Sequence, residues 1–163
     1  MEPSWRPNGS DTHYLIERRV RPIEILLVED NPGDVRLTIE ALKDGKFANS
    51  LRFATDGEDA LAQLRREGSY TDARLPDLLL LDLNLPKVDG HEVLARLRAD
   101  AALEHIAVVV LTASREEHDV LRALHLGASA YITKPVDAAQ LLRVVDEIDM
   151  FHLSIVTATT AIE

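Results

Sequence analysis

The 163-residue chain has the length of one domain, 46% apolar and 28% charged, an ordinary balance for a globular protein whose core needs no staples. It contains no cysteine, which excludes disulfides, thiol nucleophiles and the commonest structural zinc sites and fits a reducing compartment. A formal charge of −10 repels nucleic-acid backbone and anionic lipid, no apolar run approaches the roughly 20 residues of a membrane span, and residues 1–20 lack a secretory apolar stretch. The expectation is a soluble cytoplasmic protein with neither nucleic acid nor membrane as partner.

The first 22 residues show no clean period and read as a flexible extension, with a short helical piece at Tyr14–Arg19. Ile23–Val28 is a β-branched apolar run shaped like a buried strand, ending in Glu29-Asp30. Asn31-Pro32 then caps a helix whose apolar face carries Val35, Ile39 and Leu42. Leu51–Thr55 reads as a strand, Asp56-Gly57 as a turn, and Ala60, Leu61 and Leu64 as the face of a second helix. Glu67–Pro76 is a polar loop of unusual length. Leu78–Leu81, flanked by Asp77 and Asp82, is the most hydrophobic tetrad and hence the expected central strand.

Asp89 with Glu92 caps a third helix burying Val93, Leu94 and Leu97. Ile106–Leu111 is the fourth strand, and Ser114 with Glu117 caps a fourth helix bearing Val120, Leu121 and Leu124, ended by Gly127. Ala130–Thr133 is a fifth strand, and Asp137 with Gln140 opens a helix carrying Leu141, Val144, Val145 and Ile148. Five strands alternating with five helices imply an α/β fold with a parallel sheet covered on both faces. Chemistry in such sheets sits beyond the carboxyl ends of the strands.

Those ends carry Glu29-Asp30, Asp82, Thr112 and Lys134-Pro135. Three carboxylates gathered there repel one another, and one lysine does not balance them. A hard divalent cation does, and magnesium suits one or two direct carboxylates with several waters. Cation and lysine together leave room for about two further negative charges, which is what a phosphoryl group brings. Taken singly, each residue has a bland reading, as a helix cap, a strand-end threonine or a solvated lysine. Together, on four strand ends, they point to a site completed by phosphorylation.

The stretches Ile25–Asp30 (ILLVED), Leu78–Gly90 (LLLLDLNLPKVDG), Val109–Ser114 (VVLTAS) and Gly127–Pro135 (GASAYITKP) resemble the receiver domain of bacterial two-component response regulators, over residues 23–151. The steps of 30 residues from Asp82 to Thr112 and 22 from Thr112 to Lys134 also match that family. The resemblance implies a flavodoxin-like, doubly wound five-stranded sheet in the order 2-1-3-4-5. It further implies Asp82 as the phosphoacceptor for a histidine kinase. Mg2+, with Mn2+ or Ca2+ as substitutes, would bind Asp30, Asp82 and the backbone carbonyl of Asn84, and Glu29 through water. Thr112, Lys134 and Ala113 would hold the phosphoryl oxygens, Tyr131 with Thr112 would form the switch, and the Lys134–Pro135 peptide would be cis. The chain would be a signalling switch rather than an enzyme, catalysing only its own phosphorylation and dephosphorylation.

No effector domain is expected after Ile148, so the output would be a protein contact, a relay step or a change of assembly. Residues 152–163 read as a tail, and Met150, Phe151, Leu153, Ile155 and Val156 give it apolar surface that favours burial. With the long polar loop, this resembles stand-alone regulators paired with phytochrome-type histidine kinases, bacteriophytochromes among them, which implies a homodimer across the fourth and fifth helices. A dehalogenase-type phosphatase also uses an aspartate nucleophile and Mg2+, but it needs an acid two residues on, where this chain has Asn84. A flavin module would need a phosphate-cradling first turn, and a degenerate scaffold receiver sits poorly with intact Asp82, Thr112 and Lys134. The six histidines are scattered without ligand spacing and read as surface residues.

Overall fold

Five strands alternate with five helices: β1 (Ile23–Val28), α1 (Pro32–Asp44), β2 (Asn49–Ala54), α2 (Gly57–Arg65), β3 (Leu78–Asp82), α3 (Gly90–Arg98), β4 (Ala107–Thr112), α4 (Glu117–His125), β5 (Ala130–Thr133) and α5 (Ala138–Glu147). The structure, a computed structural model, describes residues 22–45, 49–113 and 117–148. All strands run parallel in the order β2-β1-β3-β4-β5, which puts β3 at the centre. The chain winds from β1 outward to β2, then returns across to β3, β4 and β5. That reversal opens a crevice beyond the carboxyl ends of β1 and β3.

Alternation along the strands builds two cores. Ile25, Leu27, Leu78, Leu80, Val109 and Leu111 face Ala41 and Leu42 of α1 and Leu141, Val144 and Val145 of α5. Leu26, Val28, Leu79, Leu81, Val108 and Val110 face Ala60, Leu61 and Leu64 of α2, Val93, Leu94 and Leu97 of α3, and Ala123 of α4. Each buried Leu or Val side chain contributes about 1.5–3 kcal/mol of apolar transfer. Both faces of β3 are covered, so Asp82 ends a strand with little freedom to shift.

Helix starts follow local chemistry. Asn31, Asp89 and Asp137 accept hydrogen bonds from the backbone N–H groups of Asp34, Glu92 and Gln140 at 3.0, 2.9 and 2.7 Å. Asp56-Gly57 is not the free turn that the dipeptide suggests. Asp56 caps α2 by accepting from the Asp59 N–H at 2.7 Å, and Gly57 is already helical. A Cβ on Gly57 would lie 1.8 Å from the Val88 carbonyl oxygen, so the loop after β3 rests directly on the start of α2.

Strand bounds move by a residue or two. β2 starts at Asn49 because its ladder follows β1 from Ile23 onward, and β4 runs to Thr112 because Thr112 still pairs with Thr133. Glu67–Pro76 is less open than its polarity suggests. It contains a 3-10 turn at Gly68–Tyr70, the Tyr70 hydroxyl donates to Asp59 Oδ1 at 2.6 Å, and Arg52 Nη2 donates to the Arg74 carbonyl at 2.5 Å.

The apolar period of α4 is real, but the described residues leave most of it uncovered. Ala123 is the residue this helix buries, while Leu121 and Leu124 are 54% and 38% exposed. The helical piece at Tyr14–Arg19, the cap at Ser114 and the tail residues Met150, Phe151, Leu153, Ile155 and Val156 lie outside the described residues.

Candidate functional site

Glu29 and Asp30 follow β1, Asp82 ends β3, and Lys134 follows β5. Adjacent parallel strands bring these ends together. Lys134 N–H donates to the Thr112 carbonyl at 2.9 Å, which ties the β5 exit to the end of β4. One carboxylate oxygen each from Glu29, Asp30 and Asp82 lies within 4.8 Å of the others. Glu29 and Asp82 are buried and Asp30 is exposed.

Lys134 Nζ lies 2.6 Å from Glu29 Oε1, 3.0 Å from Asp34 Oδ2 and 3.3 Å from Asp82 Oδ2. The first contact is an ion pair that lacks hydrogen-bond direction, so buried Oε1 keeps a charge partner without a well-aimed donor. The other Glu29 oxygen accepts from the Asn31 N–H at 3.2 Å, and Asp82 Oδ1 accepts from the Asn84 N–H at 3.1 Å.

Burial pushes the Glu29 carboxyl up to about 7; Lys134 opposes this and the neighbouring Asp82 reinforces it. Burial pulls the Lys134 ammonium down, but Glu29, Asp34 and Asp82 outweigh it and hold the group above the ordinary lysine value. An under-satisfied buried carboxylate oxygen amid three clustered carboxylates is a hard oxygen donor set. A small divalent cation fits it.

Thr112 is buried at the end of β4, and Ala113 follows it, exposed. Tyr131 is half exposed on β5. The Lys134–Pro135 peptide is cis. Gly90 pins the start of α3 to the end of β3: its N–H donates to the Leu83 carbonyl at 3.0 Å, and a Cβ there would lie 2.4 Å from the Asp82 carbonyl oxygen. A cleft of about 490 Å3 opens beside the acids, lined by Asp30, Asn84, Thr112, His91 and Arg122 among others.

Two residues at or beside the site escape a reading of the sequence. Asp34 adds a fourth carboxylate where three were expected. It lies in the first turn of α1, four residues after Asp30 in sequence. His91 is no surface residue: it is 9% exposed, with Nε2 3.3 Å from the Asp119 carbonyl. Its position three before Leu94 places it on the buried face of α3.

A parallel sheet in this order, with carboxylates and a lysine gathered at its switch point, defines a receiver-type signalling domain. Residues 25–146 match the response regulator receiver domain, and the chain belongs to that family. It is 43% identical to Response regulator Rcp1 of Synechocystis sp. over 140 residues, which span 86% of this chain and 95% of Rcp1. Among solved structures, the phosphorylated cyanobacterial phytochrome response regulator RcpA matches with a TM-score of 0.70 and 46% identity, covering 82% of this chain and 95% of RcpA. The Mn2+-bound form of Rcp1 matches with a TM-score of 0.68 and 43% identity, covering 81% and 95%. The dehalogenase-type alternative finds no support among these relatives. The protein is a receiver-domain response regulator, and no helix among its described residues is long and apolar enough to cross a membrane.

Proposed function

We propose that Asp82 accepts a phosphoryl group from the phosphohistidine of a histidine kinase. The observation that carries this is the position of the Asp82 carboxylate, buried at the switch point with Lys134 Nζ 3.3 Å away and two further carboxylates in reach of a shared cation. An Asp82 carboxylate oxygen forms a bond to phosphorus as the P–N bond breaks, and that bonding pair leaves with the imidazole. Asp30, Asp82 and the Asn84 carbonyl would hold Mg2+, with Glu29 acting through water, and the ion would neutralise the phosphoryl charge.

Lys134, the Thr112 hydroxyl and the Ala113 N–H hold the phosphoryl oxygens. Thr112 moves toward its new acceptor and Tyr131 turns inward behind it, which re-faces α4, β5 and α5. The chemistry is confined to the protein's own phosphorylation and dephosphorylation, so its role is that of a switch. Acetyl phosphate with Mg2+ labels the wild type and fails to label Asp82→Asn; undiminished labelling of that variant removes Asp82 from the role.

The kinase partner is of the phytochrome type, supported by likeness to RcpA, a cyanobacterial phytochrome response regulator. The assembly is a homodimer across α4 and α5, supported by Leu121, Leu124 and Tyr131 standing exposed, with Met150, Phe151, Leu153, Ile155 and Val156 as the arm. Light scattering with and without beryllofluoride tests this, and a strict monomer in both states refutes it. Transfer from candidate phosphorylated kinases, timed in vitro, tests the pairing.

A further inference from the structure

An ammonium group has three protons to donate. Lys134 meets three carboxylates, Glu29 at 2.6 Å, Asp34 at 3.0 Å and Asp82 at 3.3 Å. Of the three, the contact with Asp34 has hydrogen-bond geometry, so a phosphoryl oxygen on Asp82 that draws Nζ toward itself competes first with Asp34. Glu29 has a fully buried side chain, where parting a carboxylate from its cation is costly. Asp82 is the group being modified. Asp34 differs from both, because about a third of its side chain is exposed.

Among the described residues, the contacts that hold the start of its helix leave the Asp34 carboxylate out. Its N–H donates to Asn31 Oδ1, and its carbonyl accepts from the Thr38 hydroxyl at 2.9 Å. Both bonds belong to the backbone. The carboxylate can therefore turn to water while the first turn of α1 stays intact, and hydration compensates it at low cost.

We propose that Asp34 is a positioning residue that competes with the phosphoryl group for Lys134. In the resting state it holds the ammonium between α1 and the β5 exit. On phosphorylation Lys134 exchanges Asp34 for a phosphoryl oxygen, and the Asp34 carboxylate swings to solvent on the rim of the site. The strength of this contact then sets how readily the phosphorylated state forms and how long it lasts. The inference rests on Asp82 being the acceptor.

Calorimetric titration of the whole chain with beryllofluoride at saturating Mg2+ tests it, comparing wild type, Asp34→Asn and Asp34→Ala. With the competitor weakened, the half-saturating beryllofluoride concentration falls about three- to tenfold in both variants, discounted for the partial exposure of the pair. The label from acetyl phosphate decays more slowly by a similar factor. The 15N resonance of Lys134 Nζ reports the contact itself: it shifts in resting Asp34→Asn, a change that a merely structural role would not produce. An unchanged or higher half-saturation in both variants overturns the proposal. Failure of the wild type to bind beryllofluoride, or equal binding by Asp82→Asn, instead refutes the acceptor assignment beneath it.

Discussion

Replacing Gly90 with alanine probes how rigidly the site is mounted. In an open helix the change would gain about 0.5–1 kcal/mol, because alanine loses less backbone freedom on folding. Here the added Cβ lies 2.4 Å from the Asp82 carbonyl oxygen and 2.7 Å from Leu83 Cα, about 1 Å inside ordinary contact with the first. Both obstacles are backbone, and β3 is packed on both faces, so neither can turn aside as a side chain would. Overpacking of this kind costs about 1–3 kcal/mol or more, and the net loss expected for Gly90→Ala is about 2 kcal/mol. With a urea slope near 1.5 kcal/mol per molar, the unfolding midpoint drops by about 1–1.5 M. Gly68→Ala is the control: φ is +58° with open space around it, so only the left-handed conformation is penalised, by about 1 kcal/mol. A Gly90→Ala midpoint within about 0.3 M of wild type would refute the close mounting of α3 on the end of β3.

The Glu29 carboxyl, raised to about 7 from an ordinary 4.5, has to lose its proton to serve a cation, so Mg2+ affinity falls by up to about tenfold per unit as pH drops below 7. The same shift makes its stability contribution in metal-free protein complete below pH 4.5 and lost as pH rises through about 7; melting in EDTA and in Mg2+ across pH 5–8 checks both signs. Lys87 sits at φ +68° with Asp56 at 3.6 Å and Glu58 at 3.8 Å, so Lys87→Val, β-branched and unpaired, loses about 1–2 kcal/mol by urea denaturation. Arg98 donates to the carbonyls of Glu104, Ile106 and Gly127 at 2.6, 2.7 and 3.0 Å, and Arg98→Met loses about 2–3 kcal/mol in the same assay.

Much of the fold was legible because its signals are local. The apolar runs Ile25–Val28, Leu78–Leu81 and Val108–Leu111 mark their strands directly, and Asn31, Asp89 and Asp137 each cap within four residues of themselves. Asp56-Gly57 misled because an aspartate before glycine serves equally as turn and cap, and the Val88 carbonyl that crowds Gly57 comes from another loop. The acids and Lys134 were legible as a set because each ends a strand, and strand ends converge. Asp34 was not, since an acid in a first helical turn already has the helix dipole to explain it, and its partner lies 100 residues away. The burial of His91 is written in its spacing to Leu94, but its polar partner, the Asp119 carbonyl, comes from a different helix.

The two sides of the β4 neighbourhood are fastened very unequally. α3 is anchored by Val93, Leu94 and Leu97, whereas α4 commits one alanine methyl to the interior. Sliding or tilting α4 by an ångström therefore forfeits little dispersion and exposes almost no new oil to water, while the same displacement of α3 would open a void beneath three side chains. Amide exchange in α4 should accordingly run ahead of α3.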